Sequence, residues 1–204
     1  MTIDTPFIHV FQQGDANKRP LLLLHGTGGN EQDLLGLAAS VAPGRSLLSP
    51  RGRVLENGMP RFFKRFAEGK FDEDDIRFRS AELAEFVGKA SAAHDLNAPI
   101  ALGFSNGANI AAAILVLYPK LLAGAVLLRA IAPFKIMPQA ELAGVNVLLS
   151  SGANDSMIPK LESDRLAAHL TQSGVPLTHR TLPTGHGLMQ TDLTYITDFL
   201  RNQD

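Results

Sequence analysis

Ile100-Ala101-Leu102-Gly103-Phe104-Ser105-Asn106-Gly107-Ala108-Asn109-Ile110 is the stretch around which the rest of the chain can be organised. Ile100 to Phe104 is a short apolar run without alternation, the mark of a strand covered on both faces, as in a parallel sheet. Gly107 to Tyr118 is apolar almost all round and stops at Pro119, which predicts a buried helix. Between them, Gly103-Phe104-Ser105-Asn106-Gly107 has the pattern G-x-S-x-G. A turn that tight forces Ser105 into strained backbone angles, and the flanking glycines let neighbouring backbone come close.

Similar apolar runs recur at Leu21 to Leu24, Ala125 to Leu128 and Val145 to Leu149. Ser46 to Leu48 and Leu177 to Leu182 read as further strands, and Phe7 to Phe11 as an edge strand. Helical patterns lie between them. Asn30 can cap a helix with Leu34, Leu35, Leu37, Ala38 and Val41 on its apolar face. Asp74 to Ala93 turns Ile76, Leu83, Phe86, Val87 and Ala90 inward. Pro159 suits the first turn of a helix running to Gln172, and Leu188 to Leu200 closes the chain. This alternation predicts an α/β fold, a mostly parallel central sheet with helices on both faces. Active sites on such sheets lie beyond the carboxyl ends of the strands.

Arg51 to Phe71 breaks the alternation. Asn57-Gly58 and Met59-Pro60 are turn signals, followed by Phe62, Phe63, Phe66 and Phe71 among basic residues. The body of this stretch, residues 53–71, reads as a small excursion over the sheet end. The acidic cluster Asp72 to Asp75 reads as the first turn of the next helix rather than as a metal site.

With 204 residues and 45% hydrophobic content the chain can bury one sizeable core, so residues 1–204 read as a single domain. Nineteen basic against twenty acidic residues give a net charge of -1, which offers no general attraction to nucleic acid or to an anionic membrane. No apolar run approaches the ~20 residues of a membrane span. Met1 to Val10 lacks the basic and apolar regions of a signal peptide, so a cytoplasmic location is expected. The absence of cysteine excludes a cysteine nucleophile and thiolate metal ligands. A homodimer stays open.

Ser105 needs a base to become a nucleophile. His186, between Gly185 and Gly187, lies on a loop after the last strand and can reach over the sheet end. His9, His94, His169 and His179 fall on an edge strand, helix surfaces or a strand interior, where a structural role is the better reading. In a triad borne on such a sheet the acid comes between serine and histidine in the chain. Asp155 meets that order just after the strand Val145 to Ser150. Alone it would be read as a turn aspartate bonding its own backbone. Asp164 falls inside a helix, and Asp192 comes after the histidine. The glycine-rich run His25-Gly26-Thr27-Gly28-Gly29 can aim backbone amides at a substrate oxygen, with the N–H groups of Thr27 and Asn106 as the expected oxyanion donors. His25 suits fixing that loop by hydrogen bonds, and the run lacks the lysine and spacing of a phosphate-binding loop.

These segments together resemble the phospholipase/carboxylesterase family of α/β-hydrolases, which includes acyl-protein thioesterases and small bacterial carboxylesterases. The resemblance rests on Leu22 to Glu31, Ser49-Pro50-Arg51-Gly52, Met59 to Phe63, Gly103 to Asn109, Gly152 to Pro159 and Gly185-His186-Gly187. It implies the α/β-hydrolase fold and hydrolysis of small-molecule carboxylic esters or thioesters without metal or organic cofactor. It also leaves room for a lactone or dienelactone hydrolase, or one that detoxifies aromatic compounds. A catalytically silent binding protein of the same fold is the alternative of another class. Thioesterases of the family usually carry Gln where this chain has Asn106, and an uncharged residue where it has Arg129.

Met59, Phe62 and Phe63, with Phe66, Met157 and Met189, are the expected apolar lining of a substrate pocket, although each could equally be core. Arg129 ends a strand at the catalytic edge. It calls for a carboxylate partner, either from the protein, for instance in Asp72 to Asp75, or on the substrate.

Overall fold

The computed structural model describes residues 4–203. Residues 1–3 and 204, part of the span read as one domain, lie outside the described residues, as does the start of the Met1 to Val10 segment. In chain order the strands are β1 (His9–Gln12), β2 (Leu21–Leu24), β3 (Leu47–Pro50), β4 (Val54–Glu56), β5 (Met59–Arg61), β6 (Arg65–Ala67), β7 (Lys70–Phe71), β8 (Ile100–Phe104), β9 (Gly124–Leu128), β10 (Asn146–Gly152) and β11 (Leu177–Leu182). The helices are α1 (Leu35–Val41), α2 (Glu73–His94), α3 (Asn106–Leu117), α4 (Lys160–Gln172) and α5 (Gln190–Arg201).

Seven strands form the main sheet in the order β1-β3-β2-β8-β9-β10-β11. All neighbours are parallel except the edge strand β1, which runs antiparallel to β3. The period of two along each strand sorts the core into two layers. Leu22, Leu24, Ala101, Ala125, Leu127, Val147 and Leu149 pack in one cluster with residues of α2, α3 and α4. Leu21, Leu23, Ile100, Leu102, Val126, Leu128 and Leu148 pack in the other with residues of α1 and α5. Both faces of the central strands are therefore covered, which is why those strands read as unbroken apolar runs. This is the α/β-hydrolase architecture.

One local reading is corrected. Asn30 does not cap α1, which starts at Leu35; its Oδ1 instead accepts a hydrogen bond from Gln32 N at 2.8 Å, closing a local turn. Residues 53–71, read as an excursion, carry two antiparallel hairpins, β4-β5 and β6-β7. Asn57 and Gly58, with φ of 52° and 80°, make the first hairpin turn. Strands of two or three residues are too short to leave a periodic signal. The acidic run behaves as read: Asp72 caps α2, its side chain accepting from Asp75 N at 3.1 Å.

Candidate active site

Parallel strands deliver their carboxyl ends to one edge of the sheet, so loops far apart in sequence meet there. Ser105 follows β8, Asp155 follows β10 and His186 follows β11. His186 Nδ1–H donates to Asp155 Oδ2 at 2.8 Å, and Nε2 accepts from the Ser105 hydroxyl at 3.0 Å. The other oxygen of Asp155 accepts from the amides of Met157 and Ile158 at 2.9 and 3.0 Å, which fixes the carboxylate plane. The imidazole also packs against the Phe104 ring, with centroids 5.2 Å apart.

Ser105 has φ 52° and ψ -115°, a conformation costing about 1–3 kcal/mol that the surroundings must impose. The two glycines of the motif make it accessible. A Cβ on Gly107 would lie 2.0 Å from Leu24 O, and one on Gly103 2.6 Å from Gly107 O. The first turn of α3 thus rests directly on the ends of β2 and β8, leaving the serine at the apex.

The loop after β2 carries Thr27 beside the serine. The amides of Gly28 and Gly29 are used internally, donating to Pro60 O at 2.9 Å and Gly26 O at 3.1 Å. Asn106 is the first residue of α3, where an amide has no intrahelical partner. Both positions are braced from the β4-β5 hairpin and the residue after it. Arg61 Nη1 donates to Thr27 Oγ1 at 2.6 Å, and Phe62 N donates to Asn106 Oδ1 at 2.7 Å. His25 fastens the loop from behind: its Nδ1–H donates to Gly26 O at 2.6 Å and its Nε2 accepts from Gly52 N at 2.9 Å. Burial pushes the His25 imidazole below its ordinary pKa, so it stays neutral in this structural position.

The model of the Phospholipase/Carboxylesterase family matches residues 6–203. The chain belongs to this family. It is 44% identical over 184 residues to MhqD of Bacillus subtilis (strain 168), a protein named as a hydrolase, covering 89% of this chain and 92% of that one. Among solved structures it is similar to the Bacillus cereus carboxylesterase, with 44% identity, a TM-score of 0.96 and coverage of 98% and 96% of the two chains. The Mesorhizobium loti carboxylesterase is 30% identical with a TM-score of 0.91, over 98% and 96%. As a phospholipase/carboxylesterase family member the chain is a serine-type α/β-hydrolase acting on ester bonds of small molecules. That sets aside the silent binding protein.

Beside the serine this family member has a cavity of about 380 Å³ lined by residues that include Met59, Arg61, Arg65, Phe71, Met157 and Ile158. Thr27, Ser105, Asn106 and His186 also face it. Phe62 and Phe63 do not line it. Both are buried in the core, Phe62 against the His25 ring and Phe63 against Phe71. β5 gives its cavity side to Met59 and Arg61 at i and i+2, and the chain bends at Phe62 and Phe63 just after it, with both rings in the core. That same spacing could have singled out Arg61 in the sequence. Phe66 is an exposed hydrophobic residue and Met189 is partly exposed; neither lines the cavity.

Arg129 is not available to substrate. Its side chain and that of Asp192 are both 0% exposed, forked at 3.0 and 2.7 Å. The acid is therefore not one of Asp72 to Asp75. Arg129 adopts φ 55° and donates to Gly185 O and Gly187 O at 3.3 and 2.8 Å, so it ties down both sides of the His186 loop. Asp192 is pushed up by burial but pulled down more by hydrogen bonds from Arg129, Met189 N and Ser150, and ends below the ordinary carboxylate range. Asp164 pairs with Lys160 on the exposed face of α4. His9, His94, His169 and His179 are engaged elsewhere, by Phe7 O, the Phe11 ring, Pro138 O and Ser151. Among the described residues no group of three or more His, Asp or Glu side chains could hold a metal ion. No helix among them is long and apolar enough to cross a membrane.

Proposed function

We propose that Ser105, His186 and Asp155 are the catalytic triad of a carboxylesterase for small to medium esters, with the Thr27 and Asn106 amides as oxyanion donors. The observation that carries this reading is the hydrogen-bonded chain from Asp155 through His186 to Ser105, with steps of 2.8 and 3.0 Å. As Ser105 Oγ attacks the ester carbonyl, its proton passes to His186 Nε2. Asp155 holds the imidazole in the required tautomer and balances the positive charge that forms on it. The carbonyl oxygen, now an oxyanion, accepts from the two amides, which strengthens their bonds in the transition state. Collapse expels the alcohol with the proton from His186 and leaves an acyl-serine. Water then loses a proton to His186 and attacks the acyl carbon; collapse breaks the bond to Ser105 Oγ, which takes the proton back from His186, and the acid leaves.

The cavity of about 380 Å³ is near the small end of ligand sites, consistent with short acyl groups. Thioesters can follow the same path. A fluorophosphonate should label Ser105 and no other residue, and Ser105→Ala should lose both the label and turnover of p-nitrophenyl acetate. His186→Ala should cost about 10⁴-fold or more in kcat, and combining it with Ser105→Ala should add almost nothing, because the triad acts as a unit. Asp155→Asn should leave a folded, strongly impaired enzyme. Ester hydrolysis that survives Ser105→Ala would refute the assignment.

A further inference from the structure

Arg61 is a buried cavity-lining group whose charge the ester mechanism does not use. Its side chain is 2% exposed, and burial pushes the guanidinium below its ordinary pKa, with repulsion from Arg65 adding to the effect and Glu56 and Glu68 opposing it. Buried arginines are ordinarily paired with an acid. Here the pairing is incomplete. Nε donates to Phe63 O at 3.2 Å and Nη1 to Thr27 Oγ1 at 2.6 Å. The nearest carboxylate oxygen, Glu56 Oε2, lies 3.5 Å from Nη1. Arg65 claims both oxygens of Glu56, with Nε at 3.0 and 3.2 Å and Nη2 at 2.9 Å, and also binds Glu68.

Nη2 of Arg61 therefore has no hydrogen-bond partner among the described residues, and it is not among the unpartnered atoms sealed from solvent. It remains open on a residue that lines the cavity. Asn106, on the same wall, offers no second donor to a ligand, since its Nδ2 is sealed from solvent and its Oδ1 is held by Phe62 N. The guanidinium stands one threonine side chain from the Thr27 amide. A wall with a spare N–H donor on an under-neutralised cation calls for a ligand with a charged acceptor close to its reacting carbonyl.

We infer that this site selects esters bearing a free carboxylate near the scissile bond, half-esters of short dicarboxylic acids, with Arg61 Nη2 holding the carboxylate. The inference rests on the Ser105 reading above and names its substrate class. Glu68 lines the same cavity and attracts Arg61 at longer range, but its carboxylate is bound to Arg65 and makes no hydrogen bond to Arg61.

The test is competition against p-nitrophenyl acetate by monoethyl succinate and by ethyl 4-methylpentanoate, which has an isopropyl group in place of the carboxylate. The wild type should bind the half-ester about 10- to 100-fold more tightly, the range of a charge-assisted hydrogen bond. Arg61→Met should erase that ratio, and Arg61→Lys should keep part of it, since the charge survives without the fork. Loss of Thr27 support in these variants would slow p-nitrophenyl acetate turnover and weaken both competitors together, which the ratio divides out. A wild-type ratio near one overturns the inference and requires no variant to fold. So does an Arg61→Met ratio equal to that of the wild type, which would make Arg61 a positioning residue for Thr27 only. Either result with Ser105-dependent turnover of p-nitrophenyl acetate intact leaves the esterase reading standing. Absence of that turnover is the separate failure of the reading beneath.

Discussion

Replacing Arg129 by methionine should destabilise the protein severely and slow all substrates alike. The change leaves Asp192 buried with the Ser150 hydroxyl at 2.5 Å and Met189 N at 2.7 Å as its remaining partners. Removing one member of a fully buried ion pair costs about 3–5 kcal/mol, because the surviving charge has lost its compensation. Methionine fills much of the vacated volume, so little cavity cost is added. Against a total stability of about 5–15 kcal/mol the loss is a large share. At ~2–4 °C per kcal/mol for a chain of this size, Tm should fall by roughly 6–20 °C.

Urea unfolding of the wild type, Arg129→Met, Asp192→Leu and the double variant separates the terms. The double variant should be more stable than either single one, since paired charges replaced by apolar groups lose no compensation. Kinetics at 25 °C should show kcat/KM reduced by one common factor for neutral and anionic esters, because Arg129 holds Gly185 O and Gly187 O around His186 without lining the cavity. A cost for Arg129→Met below about 1 kcal/mol, the range of an exposed pair, would refute the buried-pair argument. A selective loss on the anionic ester would place Arg129 on the substrate instead.

Phe62→Ala and Phe63→Ala should each cost about 3–5 kcal/mol of stability while leaving the ranking of p-nitrophenyl esters by acyl length unchanged, as expected for core aromatics. Met59→Ala and Met157→Ala, on the cavity wall, should shift that ranking at little cost in stability; a graded-ester screen showing the reverse pattern would exchange their roles. In acid, Asp192 should contribute a distinct part of the pH dependence. Its folded-state pKa is held below the unfolded value by Arg129, Met189 N and Ser150, so the unfolded state takes up its proton first. The associated stability is fully present above about pH 4 and lost as pH falls through the depressed folded value. Asp192→Asn should therefore show a shallower decline of urea midpoint between pH 5 and 3, in the range set by ordinary carboxylate titration at about 4. An unchanged slope means another group carries that limb.

The sequence by itself determined the elements that are local. The strand, the turn and the buried helix around Ser105 follow from an apolar run, two glycines and a proline stop within twenty residues, and the order serine, acid, histidine selected Asp155 and His186. Their meeting with Ser105 could be read from the sequence because each sits just past a strand, and parallel strands deliver their carboxyl ends to one edge. The tertiary structure decided what depends on partners distant in the chain. Arg129 and Asp192 are 63 residues apart, and neither carries a local pattern that names the other. Asp192 follows the histidine, so chain order excludes it as the triad acid and says nothing of its place beside the Arg129 strand end. The hairpin β4-β5 shows the same division. Asn57-Gly58 announced its turn and alternation along β5 puts Met59 and Arg61 on one face, but only the tertiary structure showed that this face meets the cavity and that Phe62 and Phe63 enter the core. Strand order likewise came from the fold, because apolar runs that are covered on both faces look alike in sequence and only side-chain packing between the two layers tells them apart.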